Sequence, residues 1–429
     1  MTAAADPSDL PTRPVLAGVR VLDIGTLLAG PVAATFLGDF GAEVIKVEQP
    51  EIGDTLRQSG QEADPGRSFP WLVEGRNKRS VTINLRVPAG QELLKRLVAT
   101  ADVLIENFTP GTLERWNLGW DELRAVNPAL VMVRMSGFGQ VGPYSGRSGY
   151  DRIGLGFSGF MYPTGYPDRP PVRPAFPTAD YSTAVMAAFA TMLALYERDA
   201  SPPSDAGAPL AERRGGVGAP LAERRGQMVD LALYDTPFRI TADLLANFAH
   251  RGQIRERIGN RNPGFAPAGN FLTADERWMQ IAAGGDNVWK RLCAAMNAEE
   301  LVTDPRYVTQ AARAAHADEL EELVGAWVGS LDYAEAEARL VEAGVASGGI
   351  YTSADILADP HYEARGSIAR VDVDGVGEVP MPAVVPKLSR TPGAIRHAGP
   401  HLGADTAAVL AELGLDDAEI AALRADRVI

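Results

Sequence analysis

Residues 19–48 read VRVLDIGTLLAGPVAATFLGDFGAEVIKVE. An apolar stretch (VRVLDI) is followed by a turn bounded by Gly25 and Gly30, an apolar helical stretch (PVAATFLGDF) and a second apolar stretch (AEVIKVE). Buried strands of a parallel sheet are apolar along their whole length, and a helix between two of them makes a β-α-β crossover. This stretch therefore predicts the first unit of a parallel α/β sheet.

The same alternation continues over the next hundred residues. SVTINL, AGQELLKRLVATA and DVLIENF make a second strand-helix-strand unit, and the helical WDELRAVNP precedes the apolar LVMVRMSGFG. Strands that alternate with helices predict a parallel sheet that is covered on both faces. We expect residues 1–200 to form a Rossmann-like large domain that ends in a helix over residues 180–198.

The segment after this helix contains a tandem duplication. GAPLAERRG occurs at residues 207–215 and again at residues 218–226, among prolines, glycines and serines. A single pair of repeats does not build a solenoid, so residues 201–228 are predicted to be a linker with an expanded surface loop. Mixed strand-like and helical stretches then predict a smaller α+β domain over residues 229–335. Near the C-terminus, ARVDVDGVGEVPMPAVVPKLS alternates as antiparallel strands do.

Charge and cysteine content exclude several classes of protein. The 429 residues include 41 basic and 55 acidic side chains, and the net charge of −14 makes nucleic acid an unfavourable partner. Cys293 is the single cysteine, which excludes an intrachain disulfide and fits a cytoplasmic location. The N-terminus lacks the apolar core of a signal peptide, and no run of about 18 apolar residues indicates a membrane span. We expect a soluble protein with no membrane partner.

Familiar cofactor and catalytic motifs are weak or absent. Residues 137–142 and 154–159 match G-x-G-x-x-G, but the first match runs into a turn and not into the helix that a dinucleotide requires. His397 and His401 have helical spacing, yet Gly399-Pro400 between them prevents the helix that would aim both rings at one metal ion. No G-x-S-x-G nucleophile elbow is present. The sequence predicts neither a dinucleotide site nor a metal site.

The remaining candidates are a set of cations and one carboxylate. The cluster Arg76-Asn77-Lys78-Arg79, with Arg86 and Arg115 further on, fits a polyanionic small ligand at the carboxyl ends of strands. Taken alone, it also fits a solvated helix-strand junction, which is the commoner case. Asp180 stands at the start of an apolar helix and is predicted to be its N-cap. The N-terminus of a helix also stabilises an ionised carboxylate, which can serve as a nucleophile.

Five blocks occur in order along the chain: LLAGPVAATFLGDFGAEVIKVEQP, RNKRSVTINL, ADVLIENFTPGTLERWNLGW, SGFGQVGPYSGRSGYD and PTADYSTA. They resemble the successive blocks of the class III CoA-transferases, the CaiB/BaiF family that includes formyl-CoA transferase and succinyl-CoA:glutarate CoA-transferase. The likeness continues through DPRY, DPHYEARG and GPHLGADT, whereas the GAPLAERRG duplication has no counterpart in the family pattern. The resemblance implies a homodimer of interlocked rings, in which residues 336–429 return to the large domain.

By this resemblance Asp180 falls on the catalytic aspartate of the family. The implied reaction moves CoA from an acyl-CoA, such as succinyl-CoA, to a small carboxylic acid. The Asp180 carboxylate attacks the thioester to give a mixed anhydride, and the CoA thiolate then returns to give an aspartyl-CoA thioester. The CoA thioester is thus a substrate, and no metal or permanently bound cofactor is expected.

The resemblance also implies a set of binding residues. Leu28 and Ala29 fall on the turn that lines the CoA site, and Tyr150 with Asp151 falls on the acyl-side wall near the nucleophile. Formyl-CoA transferase has glutamine in place of Leu28 and glutamate in place of Asp151, and R-x-G-Y-D at residues 147–151 favours the succinyl-CoA:dicarboxylate branch. The implied CoA contacts are Arg86, Asn107, Phe108 and Arg115.

A second reaction in the same family is the alternative. The α-methylacyl-CoA racemases resemble this chain too, but carry G-H-D where it has Gly149-Tyr150-Asp151. Racemisation needs an acid and a base on either side of the α-carbon, and a tyrosine of pKa about 10 replaces a histidine of pKa about 6.5 poorly. CoA transfer is therefore the prediction, and the racemase is its alternative.

Overall fold

The computed structural model describes residues 13–200 and 224–429, so the predicted duplicated loop lies outside the described residues except for its last three. Up to residue 240, a helix lies in each connection between successive strands of the central sheet. The elements are β1 (Arg20–Asp23), α1 (Ala29–Asp39), β2 (Glu43–Glu48), β3 (Glu62–Asp64), β4 (Arg67–Ser68), α2 (Phe69–Glu74), β5 (Lys78–Thr82), α3 (Pro88–Val98), β6 (Val103–Glu106), α4 (Thr112–Arg115), α5 (Trp120–Val126), β7 (Val131–Ser136), α6 (Asp151–Phe157), α7 (Thr178–Ala200), β8 (Met228–Ala232) and α8 (Asp235–Ile240).

The central sheet is parallel. Within the described residues it contains six strands in the order β5, β2, β1, β6, β7 and β8. The chain moves outward from β1 to β5 and then crosses to the other side for β6 to β8, which is the doubly wound order of Rossmann-like folds. The predicted α/β fold with a parallel sheet is confirmed. Ligands of such sheets bind where the strand order reverses, beyond the carboxyl ends of β1 and β6.

Apolar side chains cover both faces of this sheet. Val21 and Leu22 are successive residues of β1 and point to opposite faces, because side chains alternate along a strand. Val21 belongs to a buried cluster with Ala33 of α1 and Ala187 of α7, and Leu22 to a second cluster with Leu94 of α3. Full burial of one valine or leucine contributes about 1.5–3 kcal/mol, so these two clusters hold the helices on the sheet.

The helix α7 starts two residues before the predicted helix and places Asp180 in its first turn. Its buried face, which includes Ala184 and Ala187, packs against the sheet and α1. The other face exposes apolar side chains such as Val185 and Phe189. Among the described helices, α7 included, none is both long enough and apolar enough to cross a bilayer.

Residues 161–173 and 243–362 form a second, smaller compact unit. In the described chain, its strands form an antiparallel sheet in the order β11, β10 and β9, with Met279, Trp289 and Leu320 fully buried beside it. The elements are α9 (Leu244–Arg251), β9 (Ala268–Leu272), β10 (Trp278–Ala282), α10 (Asp286–Ala295), α11 (Gln310–Ala315), α12 (Ala317–Val328), α13 (Tyr333–Glu342), β11 (Ala346–Gly349) and α14 (Ser353–Ala358).

Residues 363–429 belong to the larger unit. After residue 174 the units change at 242/243 and 362/363, whereas the boundaries predicted from the sequence are 228/229 and 335/336. The first boundary lies later because β8 extends the parallel sheet, and the second because α13 and β11 complete the smaller core. The remaining elements are α15 (Pro360–Ala364), which spans the boundary, β12 (Ile368–Val373), β13 (Gly377–Pro382), α16 (Thr406–Glu412) and α17 (Asp417–Ala425).

Candidate active site

The turn between β1 and α1 is joined to the residue that follows β6. Asn107 Oδ1 accepts a hydrogen bond from the Thr26 N–H at 2.7 Å, and Asn107 Nδ2 donates to the Thr26 carbonyl at 2.8 Å. The strands β1 and β6 are neighbours from which the sheet grows in opposite directions, so this contact lies at the ligand-binding crevice of a doubly wound sheet. The structure thus brings Asn107 to the turn that contains Leu28 and Ala29.

Buried carboxylates hold the same turn in place. Leu27 has a φ of 66°, a left-handed conformation that costs a side chain other than glycine about 1–2 kcal/mol. Its N–H donates to Asp54 Oδ1 at 2.9 Å, and the Gly25 N–H donates to Asp23 Oδ1 at 3.1 Å. Because these bonds offset the strain, the turn enters α1 with a fixed conformation.

A cavity of about 220 Å³ opens at the carboxyl edge, lined by residues that follow β1, β2, β5 and β6. Arg86 and Phe108 both line it, and Trp116 packs edge to face on Phe108 with 5.5 Å between the ring centroids. Arg115 precedes Trp116 in the chain, is exposed, and donates to Thr112 Oγ1 at 3.0 Å. The structure therefore brings Arg86 and Phe108 together, while Arg115 lies beside a wall residue of the cavity.

Phe108 is held by a buried acid. Its N–H donates to Glu106 Oε2 at 2.7 Å, and Arg134 Nε donates to Glu106 Oε1 at 2.7 Å. Burial raises the pKa of Glu106 to about 7, although the charge of Arg134 and these hydrogen bonds lower it. The backbone of a cavity wall residue thus depends on a single buried carboxyl group.

The loop after β7 closes on itself at two glycines. A Cβ on Gly149 would lie 2.3 Å from the Cα of Gly137, so the two backbones are in contact and neither position tolerates a side chain. This closure accounts for the first G-x-G-x-x-G match, and the second match begins inside α6. The loop leads to Asp151, the first residue of α6.

Asp151 caps the helix that carries Asp180. Asp151 Oδ1 accepts hydrogen bonds from the N–H groups of Ala179 at 2.7 Å and Asp180 at 3.4 Å. The prediction that Asp180 is the N-cap is wrong, because α7 already begins at Thr178 and Asp151 supplies the accepting oxygen. The side chain of Asp180 is therefore not committed to capping. Tyr150 stays 68% exposed and has no hydrogen bond to Asp180 within the described ranges.

The Asp180 carboxyl group has a pKa well above the usual range of an aspartate. Its residue is only 8% exposed, and no described residue donates a hydrogen bond to the carboxyl group. Burial raises the pKa of Asp180 to about 7, and the charge of Asp151 adds to the increase. A carboxylate that few donors solvate is a reactive nucleophile once it is ionised.

Asp180 and the cavity lie at the same edge of the sheet. The helix α7 comes between the parallel strands β7 and β8, so it runs antiparallel to them and starts at their carboxyl ends. The helix α1 starts at the same edge and packs along α7. A candidate nucleophile and a crevice for a larger ligand therefore share one edge of the larger unit.

Comparisons with known proteins identify the family of the chain. Residues 16–208 and 215–406 match the pattern of CoA-transferase family III. The chain is 43% identical to succinyl-CoA–D-citramalate CoA-transferase of Chloroflexus aurantiacus over 98% of this chain and all of that protein. It is 35% identical to succinate–glutarate CoA-transferase of Agrobacterium fabrum over 95% of this chain and 98% of that protein. The chain belongs to CoA-transferase family III.

Solved structures agree with the assignment of this chain to the CoA-transferase family. The crystal structure of a CaiB/BaiF family protein from Brucella suis has a TM-score of 0.79 and 34% identity, and the match covers 94% of this chain and 100% of that one. The expected resemblance to class III CoA-transferases is confirmed, and so is the predicted class of enzyme. The two matched segments leave out residues 209–214, which lie within the tandem duplication.

Three residues of the site of this CoA-transferase were not predicted from the sequence. Glu106 could have been predicted, since burying a carboxylate at the end of a fully apolar strand is energetically unfavourable unless the carboxylate has a partner. Trp116 lies in a block that resembles the family, but an aromatic residue there is equally typical of a core. Asp54 gave no signal, because the amide that it holds belongs to Leu27, on another loop.

Proposed function

We propose that this CoA-transferase moves CoA from succinyl-CoA to a second dicarboxylic acid, with Asp180 as the covalent nucleophile. The observation that carries the proposal is the Asp180 carboxyl group, which is nearly buried, receives no hydrogen bond from described residues, and has a pKa of about 7. Both relatives above carry succinyl-CoA or succinate and a second dicarboxylic acid in their names, which supports this substrate class.

The first half of the reaction opens the donor thioester. An Asp180 oxygen attacks the succinyl carbonyl carbon, the C–S bond breaks, and CoA leaves as a thiolate from a mixed anhydride. The thiolate then attacks the Asp180 carbonyl carbon of the anhydride. Succinate leaves with the bridging oxygen, and Asp180 becomes an aspartyl-CoA thioester.

The second half repeats these steps with the acceptor. The acceptor carboxylate attacks the aspartyl thioester and expels the CoA thiolate, which gives a second mixed anhydride. The thiolate attacks the acceptor carbonyl, forms the new acyl-CoA and regenerates the Asp180 carboxylate. No proton is gained or lost, so the ionised form of Asp180 is the form that reacts.

The cavity and the turn at the carboxyl edge supply the proposed CoA site. Phe108 with Trp116 offers an apolar wall, and the guanidinium groups of Arg86 and Arg115 are suited to phosphates. No side chain in the described part of the protein caps the N-terminus of α1, which the chain enters through Leu28 and Ala29, so its N–H groups remain available to an anion. Asn107 keeps this turn in place. Tyr150 and Asp151 are proposed to form the acyl-side wall.

Product analysis tests the proposed function. We would incubate the enzyme with succinyl-CoA and a panel of mono- and dicarboxylic acids, and follow new CoA thioesters by mass spectrometry. With an ¹⁸O-labelled acceptor, one label should reach Asp180 and then appear in succinate released at a later turnover. Transfer without ¹⁸O in succinate would exclude the aspartyl route, and α-proton exchange of a branched acyl-CoA without transfer would favour the racemase.

The pH dependence of the reaction is expected to report on Asp180. The wild-type kcat/KM for succinyl-CoA should rise with pH around a midpoint near 7, because only the carboxylate reacts. Asp151→Asn removes the charge that raises the pKa of Asp180 but keeps an oxygen for the Ala179 N–H. The midpoint of the variant should therefore fall to lower pH, as measured by kcat/KM between about pH 5 and pH 9.

Asp235→Asn is the matched control for this shift. Asp235 also accepts a backbone hydrogen bond, from the Ala232 N–H at 2.8 Å, but its charge is not among the causes of the Asp180 shift. Its variant should keep the wild-type midpoint. Equal midpoints in all three proteins would show that Asp180 does not govern the pH profile.

We also propose that the enzyme is a homodimer, with the interlocked rings that the family resemblance implies. The exposed face of α7 supports an interface, since it forms one side of an apolar groove of about 600 Å³. Exposed apolar patches of this kind commonly mark protein contacts. Phe189, on this face, is 57% exposed. The residues of α7 that line the groove are Val185, Ala188, Phe189 and Met192, and α7 also exposes Leu193 and Tyr196.

Interlocked subunits cannot separate without partial unfolding. Sedimentation velocity should therefore show one species of twice 45.7 kDa that persists through about a hundredfold dilution. Phe189→Asp should lower the yield of this dimer by burying a charge, whereas Arg124→Asp on the exposed side of α5 should not. An active monomer that appears on dilution would contradict the proposal.

A further inference from the structure

The side chain that follows Asp180 makes a hydrogen bond to a partly buried glutamate on another helix. Tyr181 Oη donates to Glu74 Oε1 at 2.9 Å and so links the first turn of α7 to the last residue of α2. Glu74 and Tyr181 are 107 residues apart in the chain. Burial raises the pKa of Glu74, while the hydrogen bond from Tyr181 and the charges of Arg76 and Lys78 lower it.

Glu74 is itself fixed from several sides. The Thr35 hydroxyl group of α1 donates to the Glu74 carbonyl at 2.5 Å. Two residues beyond Glu74, the Arg76 guanidinium makes bonds of 2.7–3.2 Å to Asp39 at the end of α1, and Asn77 Nδ2 donates to Asp39 Oδ1 at 2.7 Å. The acceptor of the Tyr181 hydroxyl group therefore belongs to a rigid connection between α1, α2 and β5.

Asp180 depends on such external supports for its orientation. Among the described residues no group donates to its carboxyl group, so the side chain is aimed only by the backbone turn that bears it. Asp151 anchors the N–H side of this turn, through the amides of Ala179 and Asp180. Tyr181 anchors the same turn on the side of α2. Two anchors in different directions fix both the position and the rotation of the first turn of α7.

We propose that Tyr181 and Glu74 are positioning residues that aim the Asp180 carboxylate at the acyl carbon of the CoA thioester. The inference rests on the proposed function, because it assigns these two residues to the orientation of its nucleophile. A covalent reaction is sensitive to orientation, and a misplacement of about 1 Å can cost about 100-fold in rate. Without the bond, substrates still bind, but fewer complexes have the carboxylate in line with the carbonyl.

Tyr181→Phe removes the hydrogen bond and keeps the ring. We expect kcat to fall by about 10- to 100-fold, with the KM of both substrates and the thermal midpoint almost unchanged. Glu74→Leu should cause the same loss, whereas Glu74→Gln keeps an accepting oxygen and should retain most of the activity. The double variant Tyr181→Phe/Glu74→Leu should be no slower than either single variant, because all three lack the same bond.

Chemical labelling gives a readout that does not depend on transfer. The Asp180 carboxyl group is coupled to an amine with a water-soluble carbodiimide, and its labelling rate is followed by mass spectrometry. Tyr181→Phe should label at least about threefold faster than wild type, because a released turn exposes the carboxyl group more often. Tyr333→Phe is the matched control, since Tyr333 makes a 2.7 Å hydrogen bond to Glu337 within the smaller unit.

Three results would overturn the inference. The first is an unchanged kcat in Tyr181→Phe, and the second is an unchanged labelling rate of Asp180 in that variant. The third is a fall in both kcat and thermal stability that occurs in Glu74→Gln as well as in Tyr181→Phe. The inference and the proposed function fail in different ways. Absence of transfer by the wild-type enzyme counts against the function, and the labelling rates still decide whether Tyr181 positions Asp180. Normal transfer by both wild type and Tyr181→Phe counts against the inference alone.

Discussion

Asp180→Asn is expected to abolish CoA transfer and, at the same time, to stabilise the folded protein above neutral pH. Asparagine has nearly the shape of aspartate but no anionic oxygen, so the first mixed anhydride cannot form. Loss of a covalent nucleophile commonly costs a factor of at least about 10⁴ in kcat. The measurement is the rate of new CoA thioester formation from succinyl-CoA under saturating acceptor.

The gain in stability follows from the ionisation of a buried group. The pKa of Asp180 is raised to about 7 in the folded chain, so the folded state holds its proton more tightly than the unfolded state does. Folding is therefore favoured by this group below about pH 4, and that contribution is lost as the pH rises through about 7. Ionisation of wild-type Asp180 then costs up to about 4 kcal/mol at pH 8, which asparagine avoids.

The control for both effects is Asp121→Asn. Asp121 lies in the first turn of α5, as Asp180 lies in the first turn of α7, but its side chain is 78% exposed. Its variant should transfer CoA at the wild-type rate and show no gain in stability at pH 8. If Asp180→Asn were inactive but its gain in stability over wild type were no larger at pH 8 than at pH 4, the raised pKa would be wrong. If it were active, the nucleophile would be another group.

The parallel sheet of this enzyme could be predicted because each strand has a distinctive local sequence. β2, β6 and β7 are buried almost throughout, and each is an apolar stretch next to a glycine-rich or helical segment. The start of α7 could not be predicted in the same way. Asp180 has the local sequence of an N-cap, but the capping oxygen comes from Asp151, at the end of a loop in which Gly137 contacts Gly149.

The candidate site was predictable only in part for a related reason. Asp180, Asn107 and Phe108 lie in blocks with a recognisable pattern, whereas Glu74 and Asp54 act on residues of other loops or helices. A pair such as Glu74 and Tyr181 has no sequence spacing to recognise, since the fold sets the distance between them. Positioning residues of this kind can therefore be identified only from the hydrogen bonds of the folded structure.

The largest effect on stability is expected from Asp23→Ala. Asp23 ends β1, where Oδ2 accepts from Lys78 Nζ at 3.0 Å and Oδ1 lies 3.4 Å from Lys46 Nζ, and all three side chains are at most 1% exposed. Loss of one partner from a buried ion pair commonly costs about 3–5 kcal/mol, because the remaining charge is left in an apolar interior. We expect a loss of this size in the free energy of unfolding, measured by urea denaturation.

Most of the stability lost in Asp23→Ala should come from the unpaired charge of Lys78. Lys46 keeps Asp54 at 2.8 Å, but among the described residues Lys78 keeps a hydrogen bond only to the Pro31 carbonyl, at 2.6 Å, and burial already lowers the pKa of Lys78 in the wild type. Without Asp23 its folded-state pKa falls further, so the variant should be less destabilised at about pH 9 than at about pH 6, where the unfolded lysine keeps its proton.

Glu43→Gln is the control for the loss of a carboxylate elsewhere in the sheet. Lys78→Met separates the effect of the unpaired charge from the effect of lost packing at Asp23. Glu43 begins β2 at the opposite edge of the sheet, pairs with the partly exposed Arg20 and Arg79 and is itself 34% exposed, so its variant should lose no more than about 1 kcal/mol. Lys78→Met in the Asp23→Ala background removes the unpaired ammonium group and should restore much of the lost stability. If the double variant were as unstable as Asp23→Ala, the cost would come from the cavity and the lost Gly25 N–H bond, and the turn that leads to Leu28 would be the element that Asp23 supports.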